Sequence, residues 1–111
     1  AAIAEGRRLL FIAGQVAVDR SGATVGGDIE TQTRQVFENL RLILEAAGGT
    51  LDDVMSTDVF LVEVARDLEG YMRVRREYFS ERPPPSTLVE VSALVDPHYL
   101  VEIKAVAELH D

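Results

Sequence analysis

The chain has 111 residues, 47% of them apolar and 27% charged, which fits one globular domain spanning 1–111 rather than a disordered chain. Eleven Lys+Arg against nineteen Asp+Glu leave a formal charge of −8, which argues against nonspecific binding to nucleic acid or to an acidic membrane surface. Without cysteine, and with His98 and His110 as the two histidines, there is no disulfide framework, thiol nucleophile or histidine-built metal centre; no apolar run approaches bilayer length and no signal pattern opens the chain, so cytoplasm is the default compartment.

In chain order, Leu9–Ala13 followed by Gly14–Val18 reads as a strand pair or one bent strand, with Gly14 marking a bulge or a close backbone approach. Asp19-Arg20-Ser21-Gly22 is a turn by composition, so the opening is a β-hairpin. Asp28 is placed to cap a helix whose stripe is Ile29, Val36, Phe37, Leu40, Ile43, Leu44 and Ala47, and Gly48-Gly49 stops it. Thr50–Asp53 reads as a short capped turn and Met55–Val64 as a strand.

A second helix is expected over Arg66–Ser80, with Leu68, Tyr71, Met72, Val74, Tyr78 and Phe79 toward the core. Arg75 shares a row with Leu68, Met72 and Phe79; it reads either as a guanidinium snorkelling from the stripe's edge or as a ligand contact. Pro83-Pro84-Pro85 ends that helix, and two strands follow, Thr87–Val95 and Tyr99–Glu108, joined by a turn at Asp96-Pro97-His98. The order β-β-α-β-α-β-β is an α+β fold with both helices on one face of a sheet.

In the last two strands Val89, Val91, Ala93 and Val95 alternate with Leu88, Glu90, Ser92 and Leu94, and Tyr99, Val101, Ile103, Ala105 and Ala107 alternate with Leu100, Glu102, Lys104 and Val106. The valine-rich sets are expected to face the helices. The other face mixes large aliphatics with isolated charges, which suits either partial cover by another copy of the chain or a solvated sheet. Glu102 is the candidate for chemistry there. A half-buried carboxylate can hold or activate a water, or can instead sit in an ion pair with Lys104 or with a partner subunit. Ser86 and Thr87 offer hydroxyls where the prolines meet the strand. His98 reads as a solvated turn residue and His110 as a chain end.

Phe11-Ile12-Ala13-Gly14-Gln15, Gly27-Asp28-Ile29 with Gln32-Thr33, Ile43–Gly48, Asp53–Leu61, Val89-Glu90-Val91 and Val101–Ala107 together resemble the Rid (YjgF, L-PSP) family of reactive-intermediate deaminases over nearly the whole chain. The resemblance implies a chorismate-mutase-like homotrimer with a mixed sheet and clefts between subunits. It also implies hydrolysis of 2-imino or 2-enamino acids to 2-keto acids and ammonia, with no metal or organic cofactor. It places the family's water-positioning glutamate on Glu102 and its backbone carbonyl on Leu88. The family's carboxylate-clamping arginine falls on Ser86, its serine before Gly-Gln on Ala13, and its second-helix asparagine and tyrosine on Met72 and Arg75. The cleft tyrosine falls upstream of Ala1. A charge-assisted bidentate clamp is about twice as strong per bond as a neutral hydrogen bond. Two expectations follow. Either an arginine such as Arg75 substitutes as anion anchor, with Ser86, Thr87 and Leu88 lining the site, or the ligand presents no carboxylate at that place. A non-catalytic metabolite-binding module is the alternative function; an endoribonuclease suits a −8 chain poorly.

Overall fold

In the computed structural model, which describes Ala2, Ile3, Glu5 and residues 8–110, two helices cover one face of a four-stranded mixed sheet of order β1-β4-β2-β3. The elements are β1 (Arg8–Gln15), α1 (Ile29–Ala46), a single 3-10 turn (Leu51–Asp53), β2 (Val54–Leu61), α2 (Val64–Tyr78), β3 (Ser86–Glu90) and β4 (Val101–Leu109). The expected order holds. The second member of the opening hairpin is reduced to one bridge, Val18 with Thr24, because the turn between them is built on the Asp19 side chain, which accepts from the backbone of Ser21 and Ala23.

Helix α1 follows its sequence closely. The Asp28 carboxylate accepts from the Thr31 N–H at 2.9 Å, satisfying one of the free donors of the first turn. At the other end the Gly49 N–H donates to the Leu44 carbonyl at 2.7 Å and the Gly48 N–H to that of Glu45 at 3.0 Å. Gly48 has φ +87°, so this is the left-handed stop that glycine accepts without strain. The Thr31 N–H holds the Asp28 carboxyl below its ordinary 3.8. Its stabilising contribution is therefore complete above that value and lost as pH falls through the lowered folded pKa. Asp28→Ala is expected to lower the melting temperature by about 5 °C at neutral pH, measured by calorimetry, whereas Asp28→Asn keeps the cap and removes only its acid sensitivity.

Helix α2 is turned relative to the expected stripe. Asp67, Gly70, Tyr71 and Val74 are its buried residues, while Leu68 is 40% exposed. A Cβ on Gly70 would come within 2.6 Å of Ile29 Cγ2, so the helices meet where glycine stands. That contact rotates the helix toward Gly70 and leaves Leu68 at the rim. Phe37 stacks on Tyr78 at 5.0 Å and meets Phe79 edge-on at 5.6 Å, joining α1 to the end of α2. Burial pushes the Tyr71 phenol up to about 12, with the neighbouring Arg75 acting in the opposite direction.

The pairing of β3 corrects the expectation of a terminal hairpin. β3 runs parallel to β2, with Val59 opposite Leu88 and Phe60 opposite Val89, and β4 lies on the other side of β2. The Asp96–His98 turn therefore belongs to a longer connection, not a hairpin tip. The facing of β3 is also the reverse of that expected. Leu88 packs against the core beside buried Val59, whereas Val89 is 43% exposed. β4 behaves as its alternation predicts, with Val101, Ile103, Ala105 and Ala107 buried under the helices and Glu102, Lys104 and Val106 on the open face.

Candidate active site on the open sheet face

β1 and β4 pair antiparallel, but Ile12 stands opposite Ala105 and Gln15 opposite Ile103, so Ala13 and Gly14 together face Lys104. This is a β-bulge. The Glu102 side chain lies across it. A Cβ on Gly14 would stand 2.7 Å from Glu102 Cδ and 3.1 Å from its Cγ. The half-buried carboxylate is thus laid on bare backbone at the β1 edge.

Lys104, the neighbouring cation on this face, is 3.9 Å from Asp58 on β2. Among the described residues Glu102 has no ion-pair partner, so the Lys104 pairing expected as its alternative is not formed. Beside these charges the face exposes large apolar side chains, with Phe11 73% exposed next to Val106, and Val89 next to Phe60.

An open groove of about 520 Å³ begins at Gly14 and Gln15 and runs along α1 past Asn39 and Ile43, with Arg20 on its rim. The Asn39 amide donates to the carbonyls of Val16 at 3.1 Å and Val18 at 2.9 Å, fixing the chain just beyond the bulge. The sequence reading gave neither Asn39 nor Arg20 a functional role. Asn39 sits in a helix and acts on a backbone more than twenty positions away, which no local pattern reports.

The other predicted residues gather at the opposite edge. Three contacts fix the start of β3: Arg75 Nη2 donates to the Pro84 carbonyl at 2.9 Å, the Thr57 N–H to that of Pro85 at 3.0 Å, and the Thr57 hydroxyl to Ser86 Oγ at 2.8 Å. Arg75 is therefore engaged in holding the proline run. Ser86 stands opposite buried Thr57 on the helix-facing side, and Thr87 stands opposite Asp58 on the open side. The Val91 N–H donates to the Leu61 carbonyl. Together with the Thr57–Pro85 bond, this sets the parallel ladder so that Thr87 and Val89 bond toward β2. The N–H and C=O of Leu88 then point out of the unpaired edge.

Within one protomer these two groups do not meet. Ser86 lies two strands and three residues from Glu102 in the register, about 14 Å at ordinary strand spacing and rise, and its side chain is on the other face. His98 is at the surface, its ring and backbone nitrogens on the Asp96 carboxylate. His110 lies 3.6 Å from Glu108 and 3.9 Å from Asp53. Among the described residues no helix is long and apolar enough to cross a membrane.

The family model described as Endoribonuclease L-PSP matches residues 1–109. A RutC family protein of Pyrococcus horikoshii is 48% identical over 99 residues, 88% of this chain and 77% of that one. The 3-aminoacrylate deaminase RutC of Acinetobacter baylyi is 37% identical over 102 residues, 91% of this chain and 79% of that one. Among solved structures, a Yersinia pestis protein of the conserved Rid family superposes with TM-score 0.83 at 36% identity, over 94% of this chain and 80% of its own. By sequence and by fold, the chain belongs to the Rid (YjgF, L-PSP) family.

Proposed function

We propose that this protein is a homotrimeric hydrolase that deaminates a small imine or enamine in clefts shared between subunits, with Glu102 handling the attacking water. The observation that carries the reading is the Glu102 carboxylate. Among the described residues it has no ion-pair partner, and it lies across Gly14 on the open sheet face, about 14 Å from Ser86 at the start of β3. A small substrate cannot span that gap inside one protomer. A second copy that sets its β3 edge against the β1 bulge would bring Ser86, Thr87 and the outward carbonyl of Leu88 to the first copy's Glu102. The exposed Phe11 and Val89 supply apolar area for that contact. Membership of the family, and similarity to a 3-aminoacrylate deaminase, support the reaction class.

The chemistry needs no group beyond these. Glu102 takes a proton from water as the oxygen bonds to the C=N carbon, and returns it to the nitrogen that receives the π electron pair, giving a carbinolamine. Glu102 then takes the hydroxyl proton as the carbonyl forms and passes it to the nitrogen as the C–N bond breaks, so ammonia leaves and the carboxylate is regenerated. Holding the water replaces a bimolecular encounter. Ammonia release from freshly generated imines, compared between wild type and Glu102→Gln, tests the proposal; equal rates for the two, or none above buffer, would sink it. A ligand that stabilises the protein and is recovered unchanged would favour the metabolite-binding module instead. The net charge of −8 weighs against RNA as the substrate.

The substrate class is narrowed by Ser86. It offers one neutral hydroxyl that already accepts from Thr57, and Arg75 is engaged by Pro84, so the site suits an imine with no carboxylate at that end. Ser86→Arg supplies a guanidinium there. It is expected to raise kcat/KM for 2-imino acids over matched neutral imines by about 10–100-fold, the worth of one charge-assisted pair. Unchanged selectivity in that variant would show that carboxylates are read elsewhere.

A further inference from the structure

We infer that Gly14 is a positioning residue: the bulge it occupies forms a backbone cradle that holds the Glu102 carboxylate in its reactive direction, and any side chain at 14 dislodges it. The inference rests on the proposed role of Glu102 and extends it to a residue that touches neither water nor substrate through a side chain. The positive-φ glycines among the described residues are Gly22, Gly27 and Gly48, so Gly14 has a backbone that alanine adopts, and freedom of φ is not what requires glycine here. Space is. A Cβ at 14 falls 2.7 Å from Glu102 Cδ, well inside carbon–carbon contact distance.

The bulge makes the cradle. Because Ala13 and Gly14 share one opposing residue, Lys104, the strand bends there, and re-aiming a neighbouring side chain is what such an insertion does. Glutamate on an exposed sheet face otherwise samples several staggered rotamers. Lying against Gly14 selects one, directed to the β1 edge and away from the Lys104–Asp58 pair on the β2 side. The Asn39 amide pins the carbonyls of Val16 and Val18 just beyond, so the bulge is braced by α1. The carboxylate's direction is thereby tied to the packed layer of the fold.

A double-mutant cycle tests this. Gly14→Ala is expected to lower kcat for imine hydrolysis by about 10²-fold, the cost of moving a reacting group by roughly 1 Å, with KM, circular dichroism and sedimentation unchanged. Glu102→Asp withdraws the carboxylate by one methylene. In the Gly14→Ala background it is expected to restore about tenfold of the loss, a coupling in the range for residues in contact. Additive losses, or Gly14→Ala at the wild-type rate while Glu102→Gln is inactive, would overturn the inference and leave the role of Glu102 standing. A Glu102→Gln variant as active as wild type would remove the role of Glu102 instead. Should Gly14→Ala fail to fold, Gly14→Ser and the Glu102→Asp arm read the same coupling, and loss of structure in both would overturn the inference.

Discussion

Glu102→Gln is expected to lower ammonia release by about 10²–10⁴-fold, the usual contribution of a positioned general base, without altering fold or assembly. Glutamine preserves the shape of the side chain and its place across Gly14, so packing changes little. What it removes is the ability to accept a proton from water at neutral pH. Because Glu102 has no ion-pair partner among the described residues, the substitution leaves no opposite charge stranded, and the melting temperature should hold. The control is Lys104→Met, on the same face but paired with Asp58. It should alter the rate far less, since an exposed pair of this kind contributes little. A fall in stability matching the fall in rate would reassign Glu102 to a structural role.

Phe11→Glu is expected to have the second largest effect, converting the proposed trimer to protomers and abolishing turnover with it. Phe11 is 73% exposed in the single chain, and burying a large apolar side chain contributes about 1.5–3 kcal/mol. Repeated around a closed ring, that is enough to decide assembly at micromolar concentration. A carboxylate there must instead be desolvated beside Val106, which is costly unless it is paired. Sedimentation velocity should show a folded protomer with a native circular dichroism spectrum and no imine hydrolysis. A variant that remains trimeric and active would show that this face is not what the copies share. A folded protomer with full activity would show that the site is complete in one chain.

The two variants separate chemistry from assembly. On the proposed reading, Glu102→Gln keeps the cleft and loses the proton acceptor, whereas Phe11→Glu keeps the acceptor in every protomer and loses the cleft. Mixing the two inactive proteins provides a further check. If Phe11→Glu protomers cannot join the ring, no activity returns, whereas a site complete within one chain would be active in the Phe11→Glu protein by itself.

Local chemistry made some of this protein readable directly. Asp28 caps α1 because its carboxylate reaches an N–H three residues on, and Gly48-Gly49 ends it because a left-handed residue is needed there; both are properties of a few adjacent residues. The alternation in β4 separated Ile103 from Glu102 because strand side chains alternate whatever the strand pairs with. Alternation says which residues share a face, however, not which face is covered. In β3 both sets carry aliphatics, so the burial of Leu88 and the exposure of Val89 were settled by pairing with β2 across the α2 crossover. The same non-local pairing placed Ser86 and Glu102 on opposite faces, and it brought Gly14 under a carboxylate 88 positions along the chain. The sequence by itself determined α1 and its ends, the presence of a second helix, and the residue types available to the candidate site. The tertiary structure decided which of those residues can meet, because strand register is set by the packing of distant segments and not by the residues within any one of them.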